Sequence, residues 1–356
     1  MSKASKGNFF EDFSLGQTLV HGTPRTVGEG DQALYIALTG ARHVLPSARP
    51  VAHALGYPDR PLDDLLAFHL AFGKTVADVS LNAVANLGYA DVRFLAPVYA
   101  GDTLKAESTV IGLRENSNGR SGIVWVRSTA VNQNEQEVLT WVRWVMVHKS
   151  DPSRPAPAAV VPEPPPIVEP HRLTIPACLD ARGYETELTG APWLWEDYAV
   201  GERIDHPAGM TLDESDHTLA TRLYQNSARL HFDGFLMANT PFGRRLVYGG
   251  HVISVCRALS FEGLENALTI AAINGGVHSN PTFAGDTLYA WSEVLDKWEL
   301  FGRDDLGALR LRLVGVKNLP PGELAEAKPQ EAGGKYHPNL VLDLDYTVLM
   351  PRRGAA

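Results

Sequence analysis

The sequence predicts an α+β protein made of two tandem copies of one unit, and three observations carry that expectation. The first is internal repetition. Phe10-Glu11-Asp12-Phe13 returns as Trp195-Glu196-Asp197-Tyr198, and Asp31 falls on Asp216, both at an offset of 185 residues. Pro97-Val98-Tyr99-Ala100-Gly101-Asp102-Thr103-Leu104 returns as Pro281-Thr282-Phe283-Ala284-Gly285-Asp286-Thr287-Leu288, at an offset of 184. The second is the stretch from Ser150 to Pro170, which holds eight prolines. Proline lacks an N–H and fixes φ, so this stretch reads as an extended linker, neither helix nor central strand. The third is order: each copy places helical periodicity before period-two alternation, the signature of helices set against an antiparallel sheet. The expected divisions are a first unit over residues 1–149, a linker over 150–172 and a second unit over 173–356.

Within each copy a polar turn leads into a helix, Asp31 to Gly40 in the first and Asp216 to Gln225 in the second. A longer helix follows, Leu62 to Val79 and Gly249 to Leu264. In the first of these, Leu65, Leu66, Phe68, Leu70, Ala71, Phe72 and Val76 cover almost every face, so the helix must be enclosed by other structure. Alternating strands then appear at Ile123–Arg127 and Thr140–Val147, and again at Leu309–Leu313 and Leu340–Val348. A long apolar helix wrapped by a curved antiparallel sheet is the hot-dog arrangement, so a tandem double hot-dog is expected. Lys317 to His337, rich in Pro, Gly, Glu and Lys, reads as a long surface hairpin loop.

Composition narrows the function classes. The length of 356 residues suits two domains, and 44% hydrophobic against 21% charged residues suits a globular core. A net charge of −9 opposes broad contact with nucleic acid. Neither a secretory leader nor an apolar run long enough to span a bilayer is evident, so no membrane partner is expected. Cys178 and Cys256 stand far apart without metal-type spacing. That points away from a disulfide framework or zinc site and towards the cytoplasm.

The second copy reads Asn226-Ser227-Ala228-Arg229-Leu230-His231-Phe232-Asp233, then Leu246-Val247-Tyr248-Gly249-Gly250-His251, then His278-Ser279-Asn280-Pro281-Thr282-Phe283-Ala284-Gly285-Asp286. In this order the segments resemble the active-site motifs of the MaoC-like superfamily of (R)-specific enoyl-CoA hydratases. The resemblance implies hydration of a CoA-thioester double bond without metal or cofactor. It makes His231 the catalytic base, Asn226 its partner and Gly249 the source of an oxyanion-binding amide. Tyr248 stands where the family has histidine. Tyr248, Gly250, Arg229 and Arg257 are the substrate-binding candidates. The first copy has Ala41 and Pro46 at the slots of Asn226 and His231 and is expected to be catalytically silent. Closed homo-oligomers are expected of such units.

The residue types fit that chemistry. Hydration needs a base to take a proton from water and an acid to return one to carbon. Charge gathers on the thioester oxygen, where amides at a helix start can meet it. Histidine titrates near working pH. The family's aspartate is Asn226 here, and asparagine can hold a water but cannot exchange a proton. The change fits an acyl group bearing its own carboxylate, because two anions about 4 Å apart at an effective dielectric of about 20 repel by about 4 kcal/mol. Asp233 and His251 are further candidates to assist. Two alternatives stay open: a thioesterase, although Gly250 to Ser260 lacks the acid many such enzymes carry on this helix, and a non-catalytic acyl-CoA-binding protein.

Overall fold

The computed structural model describes residue 3 and residues 6–328 and 335–354. In the first copy, β1 (Thr18–Val20) and β2 (Arg25–Thr26) precede α1 (Glu29–Thr39), two short helices α2 (Val44–Ser47) and α3 (Arg49–Ala54), and the central α4 (Asp64–Thr75). Strands β3 (Ala83–Phe94), β4 (Thr103–Glu115), β5 (Ser121–Val131) and β6 (Glu137–His148) complete it. The second copy runs β7 (Arg203–Thr211), α5 (Glu214–Leu223), a short α6 (Gly234–Ala238) and the central α7 (Gly249–Leu259). It ends with β8 (Thr269–Val277), β9 (Thr287–Glu299), β10 (Leu306–Lys317) and β11 (Leu340–Pro351).

All strands belong to one antiparallel sheet, ordered β1-β4-β5-β6-β3-β8-β11-β10-β9-β7 with β2 pairing off the path onto β4. The halves join where β3 meets β8, Tyr89 opposite Gly276 and Val92 opposite Ile273. One hydrophobic core therefore spans both copies. It runs from Leu66, Phe68 and Phe72 on α4 to Val252, Ile253 and Cys256 on α7. Every residue of α4 from Leu65 to Thr75 is buried, as its all-round apolar pattern requires. This is the expected double hot-dog, with both central helices held in the concave sheet.

Chain approach at the centre is close enough to demand glycine at one point. A Cβ on Gly73 would stand 1.8 Å from the carbonyl oxygen of Tyr224. The first central helix changes after Thr75 to a π-type turn over Val76–Ser80, which carries it to about the Val79 end the periodicity suggests, whereas α7 stops at Leu259, sooner than expected. The proline-rich segment is extended but anchored. Val160 bridges to Leu113, and Val168 is fully buried with its N–H donating to Asn274 Oδ1 at 2.8 Å. Residues 329–334 of the expected hairpin loop lie outside the described residues. The part before them differs from a plain surface loop, because Leu319, Leu324 and Ala327 pack against Trp291 and Val316. Among the described residues no helix is long and apolar enough to cross a membrane.

Candidate active site

After α5 the chain turns through Gln225, whose φ of 53° is left-handed, and Asn226 Oδ1 then accepts the N–H of Ala228 at 2.9 Å. That bond fixes the amide orientation and leaves the Asn226 NH₂ as its free donor group. Residues Arg229–His231 form a single 3-10 turn, tied to the strand-like approach to α7 by the Leu246 N–H donating to the Leu230 carbonyl at 3.1 Å. His231 is buried, and its Nδ1 lies 3.1 Å from the carbonyl oxygen of Leu246. A carbonyl only accepts, so Nδ1 carries the proton and Nε2 holds the lone pair. Burial lowers the His231 pKa to about 4, so the ring is neutral and basic in form at neutral pH.

These residues border a cavity of about 740 Å³. The second copy contributes Asn226, Arg229, His231, Tyr248, Gly249 and His278 to its wall, and the first copy contributes Phe72, Asn86, Tyr89 and Arg143. The structure thus brings Asn226, Arg229, His231, Tyr248 and Gly249 together on one wall. It does not bring Gly250 or Arg257 there. Gly250 faces inward, where a Cβ would meet Tyr248 at 2.4 Å and His69 at 2.7 Å. Arg257 is buried on the far part of α7, donates to Ser260 Oγ at 3.0 Å and does not line the cavity. Asp233 caps α6 through Leu236 N–H at 2.9 Å, and neither it nor His251 borders the cavity.

Gly249 opens α7, and the first amides of a helix have no carbonyl a turn earlier to bond. With the helix dipole behind it, that N–H suits a developing oxyanion. His278 closes in from β8's end: a Cβ on Gly249 would stand 2.6 Å from its ring, and the Tyr89 hydroxyl lies 3.4 Å from its Nε2. Burial lowers the His278 pKa to about 4 as well.

Sequence reasoning quoted His278 within a motif but gave it no role, and it assigned no residue of the first-copy wall to the site. Arg143 had a signal: it shares the inward face of β6 with Trp141, Val145 and Val147, where a charge is out of place. No Asp or Glu stands among the described residues lining the cavity, whereas two arginines do. No group of three or more His, Cys, Asp or Glu among the described residues is arranged to hold a metal ion.

In the first copy the corresponding place is closed. Asp64 occupies the slot of Gly249, at the 185-residue offset. Its carboxylate accepts from the Ile270 N–H at 2.7 Å and the Thr269 hydroxyl at 2.9 Å. Only about 30 Å³ of space lies beside it. Desolvation first, then the nearby Asp63 charge, raises the Asp64 pKa to about 7.

The family model described as Mesaconyl-CoA hydratase matches residues 1–160. The beta-methylmalyl-CoA dehydratase of Chloroflexus aurantiacus is 56% identical over 353 residues, covering 99% of each chain. The mesaconyl-CoA hydratase of Cereibacter sphaeroides is 56% identical over 350 residues, covering 98% of this chain and all of that one. A crystal structure of a putative MaoC domain protein dehydratase from Chloroflexus aurantiacus superimposes with a TM-score of 0.96 at 56% identity, over 99% of this chain and 100% of that one.

Proposed function

The chain belongs to the mesaconyl-CoA hydratase family, and we propose that it adds water reversibly to mesaconyl-CoA, giving β-methylmalyl-CoA, in the cavity beside α7. It is an enzyme of the hydro-lyase class. The observation that carries the site assignment is the neutral His231, fixed by Leu246 with its Nε2 lone pair free, on the wall shared with the Gly249 amide.

In the hydration direction His231 Nε2 takes a proton from water as the oxygen bonds to the β-carbon. The π electrons of the double bond move through the thioester to its oxygen, where the Gly249 N–H receives the charge. The Asn226 NH₂ group holds the water oxygen. The imidazolium then returns its proton to the α-carbon and the thioester carbonyl re-forms, so one histidine serves as base and acid in turn. Dehydration runs the same steps backwards. Tyr248 and Arg229 complete the substrate wall, with Arg229 on the exposed side. The absence of a carboxylate from the described lining favours an anionic acyl group and disfavours an acid-dependent thioesterase.

The test is incubation with mesaconyl-CoA while the conjugated double-bond absorbance and free thiol are followed together. Loss of absorbance without thiol release is the expected result; thiol release would identify a thioesterase. The free thiols Cys178 and Cys256 suit a reducing cytoplasm. We further expect the fused pair to assemble as a closed homo-oligomer.

A further inference from the structure

Arg143 is fully buried, and among the described residues it forms no ion pair with a carboxylate. It donates to Thr75 Oγ1 at 2.8 Å and Ser80 Oγ at 3.3 Å, and its guanidinium lies 4.3 Å from the Phe72 ring centre. Its Nε has no partner. A buried charge without a counter-ion is costly, and such charges are ordinarily paired. This one lines the cavity. Asn86 also lines it, on the strand beside β6 and opposite Val145, and neither its amide nitrogen nor its oxygen has a partner.

We propose that Arg143, supplied by the non-catalytic copy, binds the free carboxylate of the acyl group, with the Asn86 amide beside it. This rests on the hydratase reading above. Water adds to the carbon that bears the carboxylate, so the carboxylate receptor and the base must border one space, as Arg143 and His231 do. Ring contacts connect them: Phe72 lies 6.2 Å from Tyr248, and Tyr248 5.4 Å from His231. Pairing the carboxylate with a cation also reduces its repulsion of the hydroxide-like oxygen arriving next door. Arg229 is exposed, and a hydrated cation contributes less to an ion pair than a buried one.

The duplication supports the assignment. Aligned end to end, the 12-residue strands β6 and β11 place Arg143 against Tyr346, while Phe72 and Arg257 correspond at the 185-residue offset. In the first copy the strand carries the cation and the helix the ring; in the second Arg257 stands 5.8 Å from Tyr346, with the roles exchanged. Only the first of these pairs borders the cavity through its arginine.

The experiment measures kcat/KM for mesaconyl-CoA and for crotonyl-CoA, which lacks the carboxylate, in wild type, Arg143→Met, Arg143→Lys and Arg229→Met. Expected are a wild-type preference for mesaconyl-CoA of at least ~10-fold and its contraction by at least ~10-fold in Arg143→Met, as for loss of a charged hydrogen bond. Arg143→Lys should restore part of the preference. If Arg143 merely braces Thr75 and Ser80, both esters will lose rate equally, which overturns the proposal. So does a collapse of preference in Arg229→Met alone. Should Arg143→Met not fold, Arg143→Lys decides: a KM rise of at least ~5-fold confined to mesaconyl-CoA supports the clamp, and equal rises refute it. A wild type that hydrates both esters equally well defeats the clamp but leaves the hydratase reading standing. One that hydrates neither defeats the hydratase reading itself.

Discussion

His69 and Ser254 occupy the same position of the two copies, 185 residues apart, and are hydrogen-bonded to each other, Nε2 to Oγ, at 3.0 Å. The pseudo-twofold axis of the duplication passes between them, and on either side the copies have diverged in chemistry. Asn226, His231 and Gly249 border an open cavity on one side; on the other, Ala41 and Pro46 hold the slots of Asn226 and His231, and Asp64, in the slot of Gly249, stands beside only about 30 Å³ of space.

The acid limb of kcat/KM should lie well below the ordinary histidine range, because burial holds His231 near pKa 4. Activity should stay level from about pH 8 down to about pH 5.5 and fall only below that. A pH–rate profile checks this, and a limb centred at 6.5 or higher would contradict it.

Folding stability should decline on acidification. His206, His231, His251 and His278 have pKa values lowered to about 4 and His69 to about 3, each led by burial, against 6.5 in an unfolded chain. Between those values the unfolded chain binds more protons, so stability is full above about 6.5 and is lost as pH falls towards 4. Asp63 and Asp64, both raised by burial, act the opposite way as pH rises, but five histidines outweigh two carboxylates. Denaturant midpoints at a series of pH values measure the balance; a midpoint that rises on acidification refutes it.

Gly249→Ala should lower kcat by at least ~10-fold, since its Cβ would stand 2.6 Å from the His278 ring and displace the amide or the ring. Thermal stability should fall modestly in the same variant, although alanine is the better helix former. Unchanged kinetics would remove Gly249 from the mechanism.

Asp64→Ala, at the equivalent slot, should behave in reverse. It strands the N–H of Ile270, at a cost of about 1–3 kcal/mol of stability. Its kcat on mesaconyl-CoA should remain within about twofold of wild type if the first copy is silent. Thermal melts and steady-state kinetics on one preparation give both numbers.

The duplication, the enclosed helix α4 and the late alternating strands were legible because each leaves a local periodic signature. β3 and β8 were not. β3 pairs with three register shifts, and β8, Thr269–Val277, is buried at the centre and reads Thr-Ile-Ala-Ala-Ile-Asn-Gly-Gly-Val without alternation. The second-copy wall was readable because Asn226, His231, Tyr248 and Gly249 lie in short motifs. The first-copy wall was not, because Arg143 and Asn86 reach the cavity only through β3 meeting β8 across the fold. Arg257 misled for the same reason: its helix position matches Phe72, and only tertiary structure shows which of the two exchanged cations faces the cavity.

The most direct measurement compares kcat on mesaconyl-CoA for His231→Ala and His43→Ala. Both histidines are buried, and only His231 borders the cavity. His231→Ala should lose at least ~100-fold with its fold intact, the lower range for removing a general acid–base group, and His43→Ala should stay within about threefold. Equal losses at the two positions, or an active His231→Ala, would contradict a single hydratase site beside α7.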